Sequence, residues 1–197
     1  MLEPCGSSRV SRFSHSTASF PGGDILICGG FGMNSRGSHS RLSSVLLFNR
    51  TEDKLTALHH NLDSSSSETM LERLSATLVP LHDSINTVVL IGGRRSPNQA
   101  FKETLLLEYD SASVKCRIVS VHQAAARWRH VSTWVPTDLD SQGAILVHGG
   151  RTADQASHIV ISSDLCYLVI THNKDNMPKG IIPKPRISSL FRQQRLQ

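Results

Sequence analysis

Short apolar runs followed by paired glycines set the pattern of this chain. Each of three runs, at 25–28, 88–91 and 144–148, leads directly into a glycine pair, and these pairs are Gly29 and Gly30, Gly92 and Gly93, and Gly149 and Gly150. The runs are rich in valine, isoleucine and leucine and are bounded by turn-forming residues, which is typical of β-strands. Runs with little polar alternation suit strands covered on both faces. The glycines are predicted to be structural, at strand ends that need positive φ or close approach.

Each strand and its glycine pair belong to a longer unit that occurs three times. A Ser/Thr-rich stretch precedes the pair, and a polar loop and a second apolar run follow it, at 45–48, 105–109 and 165–169. A fourth strand is predicted at 54–58 and at 115–121. Four strands per unit are typical of a β-propeller blade.

Aromatic residues and helical periodicity add two further expectations. The second apolar runs contain Phe48, Tyr109 and Tyr167, and the two tyrosines are predicted to occupy one equivalent core position. The one plausible helical stretch lies at 67–74, in a connection.

The order of these features resembles the kelch repeat, which has a strand–Gly-Gly–strand signature and a period of about 50 residues. The match includes the pairs Phe48-Asn49 and Tyr109-Asp110, and it departs at Leu55 and Cys116, where kelch units usually carry tryptophan. We therefore expect an all-β chain that forms a partial, unclosed kelch-type β-propeller of about three degenerate four-stranded blades. The expected blades lie at about 9–60, 70–121 and 127–170, within one domain at 1–170.

The basic charge of the chain is concentrated at its end. The net charge is +5, and residues 171–197 account for all of it with Lys174, Lys179, Lys184, Arg186, Arg192 and Arg195 against Asp175. This segment also contains three prolines and few large apolar residues, so it is predicted to be a basic, disordered tail.

Charge is also sorted by loop type, because strand 1–2 loops and strand 2–3 loops of a blade lie on opposite faces. The 2–3 loops hold Arg36, Arg41, Arg94, Arg95, Lys102 and Arg151 against Glu103 and Asp154. The 1–2 loops hold Asp24, Asp83, Asp138 and Asp140 without lysine or arginine. A basic face suits an anionic partner, and the alternative is that these arginines form local salt bridges. Arg94, Arg95 and Arg151 directly follow glycine pairs and are the candidate contacts for such a partner.

Motifs for catalysis, metal binding or cofactor binding are not found in the sequence. Ser35 stands where a dinucleotide fingerprint beginning at Gly30 requires glycine, and His59-His60 lacks helical ligand partners. No Gly-x-Ser-x-Gly elbow occurs. His15 and His130, at equivalent repeat positions, are interpreted as structural groups. We expect no catalytic, metal or cofactor-binding residues in this chain, and we expect its four cysteines, Cys5, Cys28, Cys116 and Cys166, to be free thiols.

Four segments carry a closer resemblance. Cys5-Gly6-Ser7-Ser8, Gly29-Gly30-Phe31-Gly32, the stretch 92–97 and Trp128-Arg129-His130 occur in this order. The set resembles the kelch domain of the tRNA wybutosine-synthesizing protein 4 family, the leucine carboxyl methyltransferase 2 homologues, over roughly residues 5–170. The resemblance implies a parent with a methyltransferase domain that binds S-adenosylmethionine, with further blades, and with methylation and methoxycarbonylation of phenylalanine tRNA as its activity.

The resemblance implies that the present chain is a non-catalytic part of such a protein, with tRNA as a candidate partner and Arg94, Arg95 and Arg151 as the candidate tRNA contacts. The alternative is a kelch adaptor that binds a protein partner. The chain starts without a basic and apolar secretory signal, and its apolar runs are shorter than the ~20 residues that span a bilayer. The expectation is therefore a cytoplasmic protein without membrane contact.

Overall fold

The computed structural model describes residues 11–62, 67–81, 84–136, 143–153, 158–172 and 185–187. Residues 169–172 and 185–187 are described by their backbone only. Within these ranges the chain forms strands and two short 3₁₀ turns, Glu68–Met70 and Gln123–Ala125. The helical stretch expected at 67–74 is therefore reduced to the first of these turns. No helix in the described part is long and apolar enough to cross a membrane.

Three sheets follow one another along the chain, each with four antiparallel blade strands that lie side by side in chain order, and the sheet of the second blade has a fifth, added strand. Blade 1 consists of Ser16–Ser19, Ile25–Cys28, Val45–Asn49 and Lys54–Ala57. Blade 2 consists of Thr77–Pro80, Thr87–Ile91, Glu103–Tyr109 and Ser113–Val121. Blade 3 consists of Val131–Pro136, Gly143–His148, Leu165–His172 and Pro185–Ile187. The expected all-β architecture of three four-stranded propeller blades is confirmed, and within the described residues the blades do not close into a ring.

The fourth strand of blade 3 comes from the segment expected to be a disordered tail. Pro185–Ile187 pairs antiparallel with the end of Leu165–His172, in the register Ile170 to Ile187 and His172 to Pro185. These three residues therefore form a strand where disorder was expected, because the backbone groups at the open edge of Leu165–His172 pair with them. The other residues expected in the tail, apart from Thr171 and His172, lie outside the described residues.

Short strands outside the blades form hairpins and one added edge. A hairpin follows each glycine pair, and these hairpins consist of Phe31–Met33 with His39–Arg41, Arg94–Ser96 with Gln99–Ala100, and Arg151–Ala153 with Ile159–Ile161. Arg12–Phe13 pairs with the first hairpin. The strand His59–Leu62, which follows blade 1, pairs in parallel with the outer strand of blade 2.

Blade 2 is covered on both faces, and alternation within its strands divides its side chains between two cores. Val88 and Leu90 pack towards blade 1, in a core that also contains Leu26. Val89 and Ile91, which alternate with them, pack towards blade 3 with Ile145 and Val147. This double burial explains why the second strand of blade 2 is a continuous apolar run.

An arginine lies four residues before each first strand and binds the end of the second strand of its blade; Arg73 and Arg127 are buried, and Arg12 is half-buried. Arg12, Arg73 and Arg127 donate from Nη1 to the carbonyl oxygens of Gly29, Gly92 and Gly149, at 3.0, 2.8 and 3.0 Å. Arg73 also donates to Glu103 O at 2.7 Å and lies over the Phe101 ring. Burial lowers the pKa of Arg73 to about 10, so it remains charged at neutral pH. Each arginine thereby links the start of its blade to the end of the second strand.

The turn that leads into each first strand, called the lead-in turn, also contacts the preceding blade. Gly30 N donates to Arg73 O at 3.0 Å, and Gly93 N donates to Arg127 O at 2.7 Å. Gly29 and Gly92 have φ of 66° and 62°, and a Cβ on either would collide with the next lead-in turn. Gly149 has the same φ, 68°, but its Cβ would meet only Ser162 O, at 3.6 Å. Steric contact with a following blade is thus present at Gly29 and Gly92 and is not seen at Gly149.

The aromatic spacing does not follow the strand register. Phe48 lies opposite Ile25, whereas Tyr109 lies beyond the last pair and Tyr167 lies opposite Leu146. Tyr109 is buried on Phe20, with ring centroids 4.9 Å apart, but Tyr167 is half-exposed. The expectation that the two tyrosines share one core position is therefore wrong, because the 2–3 loops differ in length.

The cysteines in the described part are buried free thiols, as expected. Cys28, Cys116 and Cys166 are all buried and unbridged. Cys116 is fully buried at the position where a kelch tryptophan was expected, and Leu55 is half-buried at the other. Cys5 lies outside the described residues.

Replacing Gly92 with alanine should destabilise the chain more than replacing Gly149. Both changes place a Cβ in a left-handed conformation, which costs roughly 1–2 kcal/mol. Gly92→Ala must in addition displace the lead-in turn of blade 3, because the new Cβ would collide with Arg127 O. The hydrogen bond from Gly93 N to Arg127 O is then weakened, which adds about 1 kcal/mol to the loss of stability. Urea unfolding followed by tryptophan fluorescence measures this, since the ring of Trp128 is buried beside that turn.

Gly149→Ala is the matched control, because it has the same φ cost with space for the added methyl group. An equal loss of stability in the two variants would show that blade-to-blade contact at Gly92 contributes nothing measurable.

Candidate nucleic-acid interface

The strand register divides the loops between two faces. First strands begin, second strands end and third strands begin at one edge, as the pairing of Ser16 with Cys28 and of Cys28 with Val45 shows. This edge, which carries the glycine pairs, the hairpins and the lead-in turns, is called the glycine face. The strand 1–2 and 3–4 turns lie at the opposite edge, called the turn face.

The residue after each glycine pair is fixed by the lead-in turn of the same blade. Arg94 N donates to Leu74 O at 2.9 Å, and Arg151 N donates to Trp128 O at 2.8 Å. In blade 1 the equivalent residue, Phe31, pairs with Phe13. Two of the three candidate tRNA contacts are therefore held at the backbone by paired turns.

The side chains of these candidate residues remain open to solvent. Arg95 is exposed, and Arg94 and Arg151 are half-exposed. None of the three forms an ion pair with another residue that the structure describes. Arg41 differs, because its Nε lies 3.9 Å from Glu72 Oε2. Local salt bridges within the described ranges therefore account for Arg41 and not for the candidate contacts.

Two of the lead-in arginines contribute no accessible charge to this face. Arg73 and Arg127 are 1% and 2% exposed, with their donors directed to backbone carbonyls. They are structural and are not available to a ligand. The described cations that are exposed or half-exposed on the glycine face, other than the carbonyl-bound Arg12, are Arg36, Arg41, Arg94, Arg95, Lys102, Arg129 and Arg151. The described carboxylates there are Glu68, Glu72, Glu103 and Asp164.

Arg129 is a cation that the loop analysis of the sequence did not single out. It lies two residues after Arg127, as Ser14 follows Arg12 and Ser75 follows Arg73, and all three have a φ of 56°. Ser75 N donates to Ser14 O at 2.8 Å, and Arg129 N donates to Ser75 O at 2.9 Å. The repeated spacing from the lead-in arginines is the sequence signal that could have located it.

The turn face presents carboxylates that cap turns. Asp24 Oδ1 accepts from Arg50 N at 3.0 Å. Asp110 Oδ1 accepts from the backbone amides of Ala112 and Ser113, and these hydrogen bonds lower the pKa of Asp110. Glu52 and Asp53 add exposed negative charge. Asp83, Asp138 and Asp140 lie outside the described residues.

The two histidines at equivalent positions differ in their surroundings. His130 is 5% exposed, and its Nε2 lies 2.8 Å from Thr77 Oγ1 of the preceding blade. Burial, assisted by the nearby Arg127 charge, lowers the pKa of His130 to about 3. His15 is exposed, and its pKa is lowered by partial burial and by Arg12. His130 is therefore a neutral packing group between blades.

Groups suited to metal binding or nucleophilic chemistry are not assembled in the described part of the chain. No three His, Cys, Asp or Glu side chains within it are grouped to hold a metal ion. Burial raises the pKa of Cys28 to about 12, which keeps its sulfur protonated at neutral pH.

Comparisons with known proteins bear on the fold alone. No protein-family model and no curated protein matches this chain. The structure of YjhT is similar over 79% of this chain and 68% of its own, at 10% identity and a TM-score of 0.40. A chain in the cryo-EM structure of RAG in complex with one melted RSS and one unmelted RSS is similar over 85% of this chain, at 17% identity and a TM-score of 0.54. This chain spans 50% of that RAG chain.

Stability should fall as the pH drops below about 6.5, and His130 should contribute to the fall. Its folded pKa, about 3, is below the value of about 6.5 in an unfolded chain, so only the unfolded state takes up the proton between these values. Each pH unit within this window costs about 1.4 kcal/mol. His130→Gln should remove this part of the slope in urea unfolding measured between pH 7 and pH 4.5.

Other titrating groups cancel when the two slopes are subtracted, so the difference reports His130 alone. Identical slopes would mean that the folded protein protonates His130 as readily as the unfolded chain.

Proposed function

We propose that this chain is a non-catalytic kelch-type module that helps to hold tRNA for a wybutosine-synthesising methyltransferase. In this proposal S-adenosylmethionine binds to a methyltransferase domain of the parent protein, and the blades supply positive charge for the RNA. The family resemblance of segments such as Gly29–Gly32 and Trp128–His130 motivates the choice of tRNA.

The observation that carries the proposal is the excess of accessible positive charge on the glycine face. Arg94, Arg95 and Arg151 lie there without an acidic partner among the described residues, whereas on the turn face the carboxylates of Asp24, Glu52, Asp53 and Asp110 accompany the cations Arg50, Lys54 and Lys115. Arginines that bind a polyanion act first through phosphates, which require charge and access but no base-specific pocket. The proposed role of these arginines is therefore positioning of the RNA backbone.

Further blades of the parent protein are proposed partners of blade 3. The lead-in turns of blades 2 and 3 each pack on the glycine pair before them, and Gly149 has room for such a turn. Val131 on the innermost strand of blade 3 is 65% exposed. Both features are consistent with a neighbouring blade of the same construction.

A second candidate function is that of an adaptor for a protein partner, and one cavity favours it. The cavity, of about 510 Å³, lies along the first strands towards the turn face. Pro21, Leu78, Pro80 and Trp134 are among its lining residues. Tryptophan is among the residues that are enriched at protein–protein interfaces. RNA binding by the glycine face distinguishes the two candidates.

Reversing the charge of the candidate contacts should weaken tRNA binding. We expect Arg94→Glu, Arg95→Glu and Arg151→Glu together to lower the affinity of the full chain at least about tenfold in 0.1 M salt. The dependence of log K on log salt should become shallower, because each lost phosphate contact removes about 0.9 from the slope. Fluorescence anisotropy with labelled phenylalanine tRNA measures both. The full chain is required, since a chain cut at 170 would lose the strand Pro185–Ile187.

A matched control changes the net charge equally on the other face. Arg50, Lys54 and Lys115 are exposed at or near the 3–4 turns, and reversing all three should affect binding much less. Equal losses from the two triple variants would indicate non-specific attraction and would contradict a binding role of the glycine face.

A further inference from the structure

We infer that Arg129 is a further phosphate-contacting residue, placed by the lead-in turn of blade 3 between Arg94 and Arg151. The inference rests on the proposed function, since it adds a residue to the same binding face. It concerns a side chain that the repeat itself does not require, because Ser14 and Ser75 occupy the equivalent turns.

Backbone hydrogen bonds connect the three arginines in one continuous series. Arg94 N donates to Leu74 O, and the next residue, Ser75, accepts from Arg129 N at 2.9 Å. Trp128, directly before Arg129, exchanges both backbone hydrogen bonds with Arg151, at 2.8 and 3.0 Å. Arg129 therefore bonds the residue that follows the partner of Arg94, and it directly follows the partner of Arg151.

The position of Arg129 is towards the inner end of the glycine face. The first strands of neighbouring blades lie against each other, as the bonds from Ser16 Oγ to Ala76 O and between Thr77 Oγ1 and Ser132 Oγ show. The lead-in turns directly precede these inner strands. Arg129 thus adds a cation on the inner side of the face, where blades 2 and 3 meet.

The environment of Arg129 leaves its guanidinium available. The residue is exposed, and its side chain forms no hydrogen bond or ion pair with another residue in the described ranges. By contrast, Arg127, two residues earlier, is buried with its donors on Ala124 O and Gly149 O. The left-handed backbone at Arg129 is fixed by the hydrogen bond from its amide to Ser75 O and by the two backbone hydrogen bonds between Trp128 and Arg151. These bonds fix the position of the Arg129 Cα atom.

Exchanging the side chains of the equivalent turn positions tests the inference in both directions. Arg129→Ser should keep the fold, because two turns with the same φ already carry serine, and should weaken tRNA binding roughly five- to tenfold in 0.1 M salt. Its salt slope should fall by about 1. Ser75→Arg should strengthen binding by a similar factor and steepen the slope by about 1.

Fold integrity is measured in parallel by urea unfolding with tryptophan fluorescence. Arg129→Gly serves as a second loss variant, since glycine accepts the left-handed conformation without steric cost. Unchanged affinity and slope in both folded loss variants, with binding still reduced by reversing Arg94, Arg95 and Arg151, would overturn the role of Arg129 and leave the proposed function standing. Failure of the wild-type chain to bind tRNA even at low salt would overturn both.

Discussion

The close approach of each lead-in turn to the glycine pair of the preceding blade is the constraint on which the arrangement of blades depends. The carbonyl of Arg73 bonds Gly30 N, and that of Arg127 bonds Gly93 N, so one residue serves two blades. Its side chain caps its own second strand while its backbone contacts the blade before it. Positive φ and lack of space for a Cβ together exclude side chains at Gly29 and Gly92.

The same constraint sorts the arginines into two groups. Arg73 and Arg127, each four residues before a first strand, are buried because the strand ends expose carbonyl groups that need donors once water is excluded. Those directly after the glycine pairs, such as Arg94 and Arg151, have only their backbone engaged, since the hairpin turns their side chains away from the core. The basic character of the glycine face therefore depends on position within the repeat more than on the number of arginines.

In the described part of the chain, buried titratable groups and solvent-accessible charge lie in different places. The buried titratable groups of the described part, such as His130 and Cys28, have pKa values shifted towards their neutral forms, which suits packing. Charge that a ligand can reach lies in loops at the ends of rigid strands. Backbone hydrogen bonds in these loops place Arg129 near Arg94 and Arg151. A polyanion bound there would contact the place where two blades meet, so binding and blade packing are expected to support each other.

Local chemistry in the sequence determined the blades, because glycine pairs after apolar runs specify a strand end by steric rules that need no distant partner. The sequence likewise placed Arg94, Arg95 and Arg151 in loops on one face. Only the tertiary structure decided which arginines are buried, since the burial of Arg73 and Arg127 depends on carbonyls that lie 19 and 22 residues further along the chain. It also decided the different environments of Tyr109 and Tyr167, the pairing of Pro185–Ile187 with blade 3, and the place of Arg129 beside Arg151. These features depend on strand register and on contacts between blades. Loop length changes both, and the local pattern of residues does not show the change.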